Sequence, residues 1–245
     1  MDGAALGARF SLATNRLQYC GPAEAEPTLY RAITEGAGLD EARAALSRFE
    51  ALYPYLEAIG RAHGLDPFDE QVVEAYWIGN HLLDGFGRAE FLELLAALRA
   101  RGLPRSTAER LATHLPARPI PHHAFHVCYV GVGEVTGHVE TTLANMEACR
   151  PALARVTRVD RHRLTVERPR LEWVHGQLRF GPRHPEEIDL DPRILPRVAL
   201  GDEVALHWGH AALVLSRAQA AALERYTAAS LTQANAGLPG LRTLA

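Results

Sequence analysis

The chain has 245 residues, of which 47% are hydrophobic and 22% are charged, so it can bury a sizeable core and a wholly disordered chain is excluded. A net charge of −3 provides no basic surface for nucleic acid, and no apolar run reaches the roughly 18–20 residues that span a bilayer. Every basic residue is an arginine, which excludes lysine chemistry.

Three cysteines, Cys20, Cys128 and Cys149, lie far apart and lack the spacing of a disulfide framework. Sparse cysteines of this kind are typical of a reducing compartment. The N-terminus has no basic stretch followed by an apolar one, so we expect no signal peptide and a cytoplasmic protein.

The first half of the sequence predicts a bundle of helices. Apolar residues recur every three or four positions along residues 39–63, 70–83 and 88–101, which places them on one face of each helix. Pro54 should kink or break the first of these helices, because it lacks a backbone N–H and its ring crowds the preceding turn.

A proline-rich linker at residues 116–121 precedes a second half of different character. Residues 126–133 are β-branched and aromatic, which predicts a short strand, and residues 140–148 could form one more helix. From Leu153 onward, short alternating runs are separated by turn residues. Five strands at this spacing predict a small antiparallel barrel, and a last helix should begin after Ser216.

These patterns together predict an α+β protein with an N-terminal helical bundle, a small C-terminal antiparallel OB-like β-barrel and a closing helix. We assign residues 1–118 to the helical domain. Residues 119–148 form a connecting segment with a His-rich strand and a helix, and residues 149–236 form the barrel with its C-terminal helix.

The second half contains two motifs with specific chemistry. Cys149 precedes Val156 by seven residues at the entrance to the first predicted strand, and the run GDEVALHWGHA occupies residues 201–211 and includes His207. Over residues 149–233 the chain resembles the HypC/HupF family, small β-barrel chaperones that help to build the iron centre of nickel–iron hydrogenases. That family has a cysteine seven residues before a valine and a barrel strand of the form G-D-x-V-L-V-H-x-G-x-A.

The resemblance implies that Cys149 binds an iron fragment that carries cyanide and carbon monoxide, and that His207 supports this ligand from beside it. A thiolate is a soft donor that suits such an iron, and a neighbouring imidazole can orient ligands by hydrogen bonding. Cys149 departs from the family because it is internal, and Leu153 replaces a family proline. From the residues alone, Cys149 and His207 could equally be packing residues of the barrel.

The resemblance also implies a partner, a hydrogenase large subunit or a maturation scaffold protein, for which the helical half would be the docking surface. Such a metallocentre-assembly chaperone would not turn over a substrate. We expect no nucleic-acid partner and no membrane insertion. The arrangement of helical half and barrel as a whole also resembles an uncharacterised bacterial family.

A second candidate metal site lies in the run His122-His-Ala-Phe-His126-Val-Cys128. On a helix His122 and His126 would share a face, whereas on a strand His126 and Cys128 would do so. Either pair could bind a first-row metal such as zinc, and His138 or Cys20 could add a ligand. The histidines could instead form a hydrogen-bonded polar interface between the two halves. The alternative functions are therefore a metal-dependent enzyme with this site between the two halves, or a non-catalytic binding module that keeps the barrel without its chemistry.

Overall fold

The computed structural model describes residues 1–237, and these residues form an α+β structure with helices at the N-terminal end, strands towards the C-terminal end and a closing helix. The helices of the first half are α1 (Gly3–Arg16), α2 (Glu26–Glu35), α3 (Leu39–Leu46), α4 (Leu52–His63), α5 (Glu70–Trp77), α6 (Arg88–Ala100) and α7 (Arg105–Thr113). None of the helices in the described part of the chain is both long and apolar enough to cross a membrane.

Helix α1, for which the sequence analysis made no prediction, lies at the centre of the helical half and contacts α2, α3 and α5. Small residues permit this close packing: a Cβ atom at Gly7 would lie 3.2 Å from Leu46 of α3, and one at Gly3 would lie 2.0 Å from the carbonyl oxygen of Phe68, just before α5. The helix predicted over residues 39–63 is interrupted, as expected. Pro54 lies in the first turn of α4, where a backbone N–H has no partner within the helix.

The strand predicted at residues 126–133 is wrong. His123–Phe125 is a helical turn, α8, and His126–Gly131 continues it as a π-helix. The segment is buried on all sides and packs against the last helix of the chain, so its continuous apolar run is that of a buried helical segment. The short helix predicted at residues 140–148 is present as α9 (Leu143–Cys149).

The five predicted strands are present as β1 (Ala152–Val159), β2 (Arg163–Val174), β3 (Gln177–Asp189), β4 (Glu203–His207) and β5 (His210–Val214). Their order is β1-β2-β3-β5-β4, and β4 also pairs with β1, so the five strands form a closed ring. The sheet is mixed rather than antiparallel throughout, because β3 and β5 pair in parallel at Asp189 and His210. A closed ring with an odd number of strands cannot alternate in direction, so one neighbouring pair must be parallel.

The closing helix α10 (Arg217–Gly237) begins where the sequence predicts. Ser216 and Gln219 cap it reciprocally, each side chain accepting a hydrogen bond from the other residue's backbone N–H. The helix contacts α8 and the π-helix on one side and β1, β3 and β4 on the other. All of these elements follow the predicted linker, and α10 reaches the helical half through side chains, since Gln219 donates to Glu74 and Tyr226 donates to Asp84.

Candidate metal centre

Three side chains from distant parts of the sequence meet inside the protein: His123 from α8, Cys149 from the end of α9 and His207 from the end of β4. One possible ligand atom from each lies within 4.8 Å of the others. The Sγ atom of Cys149 is 3.6 Å from Nε2 of His123. Bonds of ~2.3 Å to sulfur and ~2.0–2.1 Å to nitrogen in a tetrahedral zinc site also separate these two donors by about 3.6 Å. This pair therefore has the spacing of two ligands of one ion.

Both imidazoles are held through Nδ1. The hydroxyl of Tyr76 lies 2.7 Å from Nδ1 of His123, and Nδ1 of His207 lies 2.6 Å from the carbonyl oxygen of Phe10. A carbonyl can only accept, so Nδ1 of His207 carries the proton and Nε2 has the free lone pair. Nε2 of His207 makes no hydrogen bond of good geometry with residues 1–237, although the carbonyl of Cys149 lies nearby. Metal-binding histidines are typically oriented in this way.

Nε2 of His123 has a second neighbour, the carbonyl oxygen of Cys149 at 3.1 Å. Without a metal, Nε2–H donates to this oxygen and Nδ1 accepts from Tyr76. To bind a metal through Nε2, His123 must carry its proton on Nδ1 instead. The hydroxyl of Tyr76 can donate or accept, so it suits both tautomers.

Burial keeps the three groups neutral. It lowers the pKa of His207 to about 4 and lowers the pKa of His123 well below its ordinary value. Burial also raises the pKa of Cys149 well above its ordinary value, and the indole of Trp208 opposes part of that rise. Neutral imidazoles are ready to bind a metal, whereas the thiol must lose a proton, which a bound cation promotes.

The cluster lines a cavity of about 40 Å³. Its walls include Ser11 from α1, Trp77 from α5 and Trp208 from the turn between β4 and β5, so both halves of the chain contribute. The ring of Trp77 lies 4.3 Å from the ring of His123 and 5.0 Å from that of His207, measured between centroids. The space admits an ion with one or two small ligands but little bulk water.

Helix α9, which carries Cys149, is fixed to β2 by a buried ion network. The carboxylate of Glu147 accepts hydrogen bonds from Arg150 and from the backbone N–H of Leu171, at 2.9 and 2.6 Å, and also pairs with Arg168. Arg168 in turn pairs with Glu186 at 2.9 Å. Because the partners lie on different elements, the network holds the end of α9 against the sheet.

The turn between β4 and β5 brings a strained residue to the cavity. Trp208 and Gly209 have φ angles of 52° and 68°, as in the type I′ turns that join two-residue hairpins. Tryptophan rarely adopts this left-handed conformation. Here its backbone N–H donates to the carbonyl of Ala148 at 2.6 Å, and its ring packs 4.8 Å from that of Tyr19. These contacts hold the indole beside Cys149.

The structure brings together only part of the residues that the sequence singled out. Cys149 and His207 lie in one cluster, and both are buried, with exposed fractions of 8% and 2%. His122, His126 and Cys128 are also buried, but they belong to no group of three candidate ligands within residues 1–237. The third candidate ligand, His123, was not among the residues predicted from the sequence.

The contacts of His122 and His126 explain why His123, and neither of its two neighbouring histidines, belongs to the cluster. Nδ1 of His122 accepts from the backbone N–H of Ala124 and so caps α8, and its ring faces that of Tyr226. Nδ1 of His126 lies 3.1 Å from the hydroxyl of Tyr55. The only signal for His123 in the sequence is its position inside the His-rich run. Of the two optional ligands, Cys20 lines the cavity, whereas His138 is exposed.

Comparison with known proteins gives a family for the chain. A family model described as "Family of unknown function (DUF6390)" matches residues 1–240. No curated protein and no solved structure matches the chain. The resemblance to HypC/HupF therefore depends on the motif residues of the C-terminal third alone. Because the family match covers almost the whole sequence, the protein belongs to DUF6390.

Proposed function

We propose that this protein binds a first-row transition metal ion through His123, Cys149 and His207 and serves in metallocentre assembly, where it holds the metal for a partner protein. The observation that carries the proposal is that the cysteine and histidine of the two HypC-like motifs meet in one buried cluster. A third donor, His123, completes a set of one sulfur and two nitrogens. Such a set suits iron or zinc better than magnesium or calcium, which prefer oxygen.

The role in assembly and the partner rest on the motif resemblance. Cys149 corresponds to the cysteine that binds the iron fragment in HypC/HupF proteins, and His207 corresponds to the histidine that lies close to it. The proposed partner is therefore a hydrogenase large subunit or a maturation scaffold protein. Transfer of a metal to that partner requires the cavity to open. Tyr19 and Trp208 are partly exposed members of the cavity wall, and their separation would give access to Cys149.

Metal analysis of the purified protein and its variants tests the proposal. We expect one ion per chain in the wild type, loss of that ion in Cys149→Ala and His123→Ala, and retention in His126→Ala. Circular dichroism of each variant confirms that it is folded. A wild type without measurable affinity for iron, cobalt or zinc, or loss of the ion only in His126→Ala, would refute the proposed centre.

A second test addresses assembly itself. We expect the protein co-expressed with hydrogenase maturation proteins to acquire infrared bands of iron-bound cyanide and carbon monoxide, and Cys149→Ala to acquire none. A metal-loaded wild type that never shows these bands, and never transfers its ion to a hydrogenase large subunit, would exclude the assembly role while leaving the metal centre intact.

One observation favours a metal-dependent enzyme as the second candidate. Three protein ligands next to a cavity leave a coordination position open, as in catalytic zinc sites. In this version the enzyme uses His123, Cys149 and His207, since His122 caps α8, and His126 contacts Tyr55 through Nδ1 although it also lines the cavity. An enzyme should retain its ion in the presence of an acceptor protein, whereas a carrier should lose it.

A further inference from the structure

The cavity beside the proposed metal centre is surrounded by buried hydrogen-bond donors. The Oγ atom of Ser11 and the Nε1 atom of Trp77 have no hydrogen-bond partner within residues 1–237, and both side chains line the cavity. Ser11 and Trp77 are only 1% and 3% exposed. Buried polar groups are almost always paired, and an indole N–H can only donate. These groups therefore favour an electron-rich acceptor inside the cavity.

The charge of the proposed centre leads to the same ligand. A divalent ion bound by one thiolate and two neutral imidazoles has a net charge of about +1. No carboxylate belongs to the cavity wall in the described part of the chain. An uncompensated buried charge is unfavourable, so one additional negative charge would stabilise the site.

We propose that the cavity binds a small monoanion as the fourth ligand of the metal, with Ser11 and Trp77 as its hydrogen-bond donors. This inference rests on the proposed metal centre and specifies its exogenous ligand. A cavity of about 40 Å³ restricts the anion to a few atoms, and the aromatic walls exclude a hydrated one. The indole of Trp208 lies beside Cys149, where it stabilises negative charge on the sulfur.

Cys20 is the rival for the fourth position. Its side chain lines the same cavity, and as a second thiolate it would neutralise the centre equally well. Burial raises the pKa of the Cys20 thiol to about 12, with a smaller contribution from Glu50, so its ionisation would require the metal. The experiment must therefore distinguish an added anion from a second sulfur ligand.

Titration of the cobalt(II)-loaded protein with azide tests the inference by visible absorption. We expect the cobalt bands to shift with saturation at one azide per ion. Ser11→Ala and Trp77→Phe should each weaken azide binding about tenfold or more, since each removes a hydrogen bond to a charged group. Because Trp77 packs against the rings of both His123 and His207, cobalt affinity is measured for each variant and azide affinity is compared at saturating cobalt.

Thr14→Val is the matched control for Ser11→Ala. Thr14 lines the same cavity, but its hydroxyl already donates to the carbonyl of Ser11 at 2.9 Å. We therefore expect this variant to bind azide like the wild type.

Three results would overturn the inference. If azide leaves the cobalt bands unchanged and Cys20→Ser weakens the sulfur-to-cobalt charge-transfer band, Cys20 is the fourth ligand. If azide binds equally well to the wild type, Ser11→Ala and Trp77→Phe, the donors do not form its site. Failure of the wild type to bind cobalt would instead refute the metal centre, and with it the anion site.

Discussion

The hydroxyl of Tyr76 lies 2.7 Å from Nδ1 of His123, on the side of the ring opposite the nitrogen that faces Cys149. Tyr76→Phe should lower the affinity for zinc by about 10–100-fold, the usual effect of losing the group that orients a metal-bound histidine. Competition with a chromophoric chelator measures this change.

Tyr55→Phe is the control, because Tyr55 makes the same kind of contact with His126, which is outside the cluster. Both tyrosines are fully buried, so the two variants lose a similar hydroxyl. Equal zinc affinities in the two variants would show that Tyr76 does not orient a ligand.

Metal binding should release about one proton per ion near neutral pH. Burial holds the pKa of Cys149 well above its ordinary value, so the free protein has a neutral thiol that must ionise on binding. His207, with a pKa of about 4, and His123, with a pKa also lowered, are already deprotonated and release nothing. Zinc affinity should therefore rise about tenfold per pH unit between pH 6.5 and 8.

Calorimetry in buffers of different ionisation enthalpy counts the released protons. The pH dependence of zinc affinity should disappear in Cys149→Ser, because the serine hydroxyl stays neutral and has no proton to release on binding. A wild type that releases no proton would show that Cys149 is not the ligand.

The metal-free protein should lose stability as the pH falls below about 6.5. The pKa of His122 is lowered to about 3 by burial, below the value of about 6.5 expected in the unfolded chain, so the unfolded state binds more protons. This contribution to stability is complete above pH 6.5 and is lost as the pH falls towards the folded pKa. Each imidazole that stays neutral only in the folded state adds about 1.4 kcal/mol per pH unit to the slope of the unfolding free energy against pH.

His122→Asn isolates one of these groups, because asparagine can also cap α8. Denaturant unfolding at pH 7.5, 6 and 5 should show a shallower loss of stability in this variant than in the wild type. Parallel curves would mean that His122 does not stay neutral in the folded protein.

Gly133 and Gly137 share a φ of 73° but differ in their surroundings. A Cβ atom at Gly133 would lie 1.8 Å from the carbonyl oxygen of Val139, whereas one at Gly137 would meet nothing within 4 Å. Gly137→Ala should therefore lower the free energy of unfolding by about 1–2 kcal/mol, the cost of a side chain in the left-handed conformation. Gly133→Ala adds a steric clash and should lower it by about 3 kcal/mol or more. Thermal unfolding compares the two, and equal losses would contradict the close approach at Gly133.

Glu147 should contribute more to stability than an exposed carboxylate. Glu147→Gln leaves Arg150 and Arg168 buried with a weaker partner, which should cost about 3 kcal/mol or more. Glu93→Gln removes an exposed pair with Arg61 and should cost less than about 1 kcal/mol. Chemical unfolding measures both losses, and a small loss in Glu147→Gln would show that the network does not anchor α9.

Much of the architecture follows from local patterns. The three- and four-residue spacing predicts the helices of the first half, because that spacing alone produces a continuous apolar face on a helix. Alternation of apolar and polar residues predicts all five strands, because successive side chains of a strand point to opposite faces of the sheet. The pattern failed at residues 126–133, where every side chain is buried, since a segment that is apolar on all sides has no periodicity that separates strand from helix.

The candidate site was only half visible in the sequence. Cys149 and His207 stood out through their motifs, whereas His123 was passed over in favour of His122 and His126. Residue type and spacing encode which face of an element is buried, and this can be read locally. Which buried polar groups then meet depends on how α8, α9 and β4 pack around one cavity, and contacts between residues so far apart in the chain are decided only when the whole core assembles.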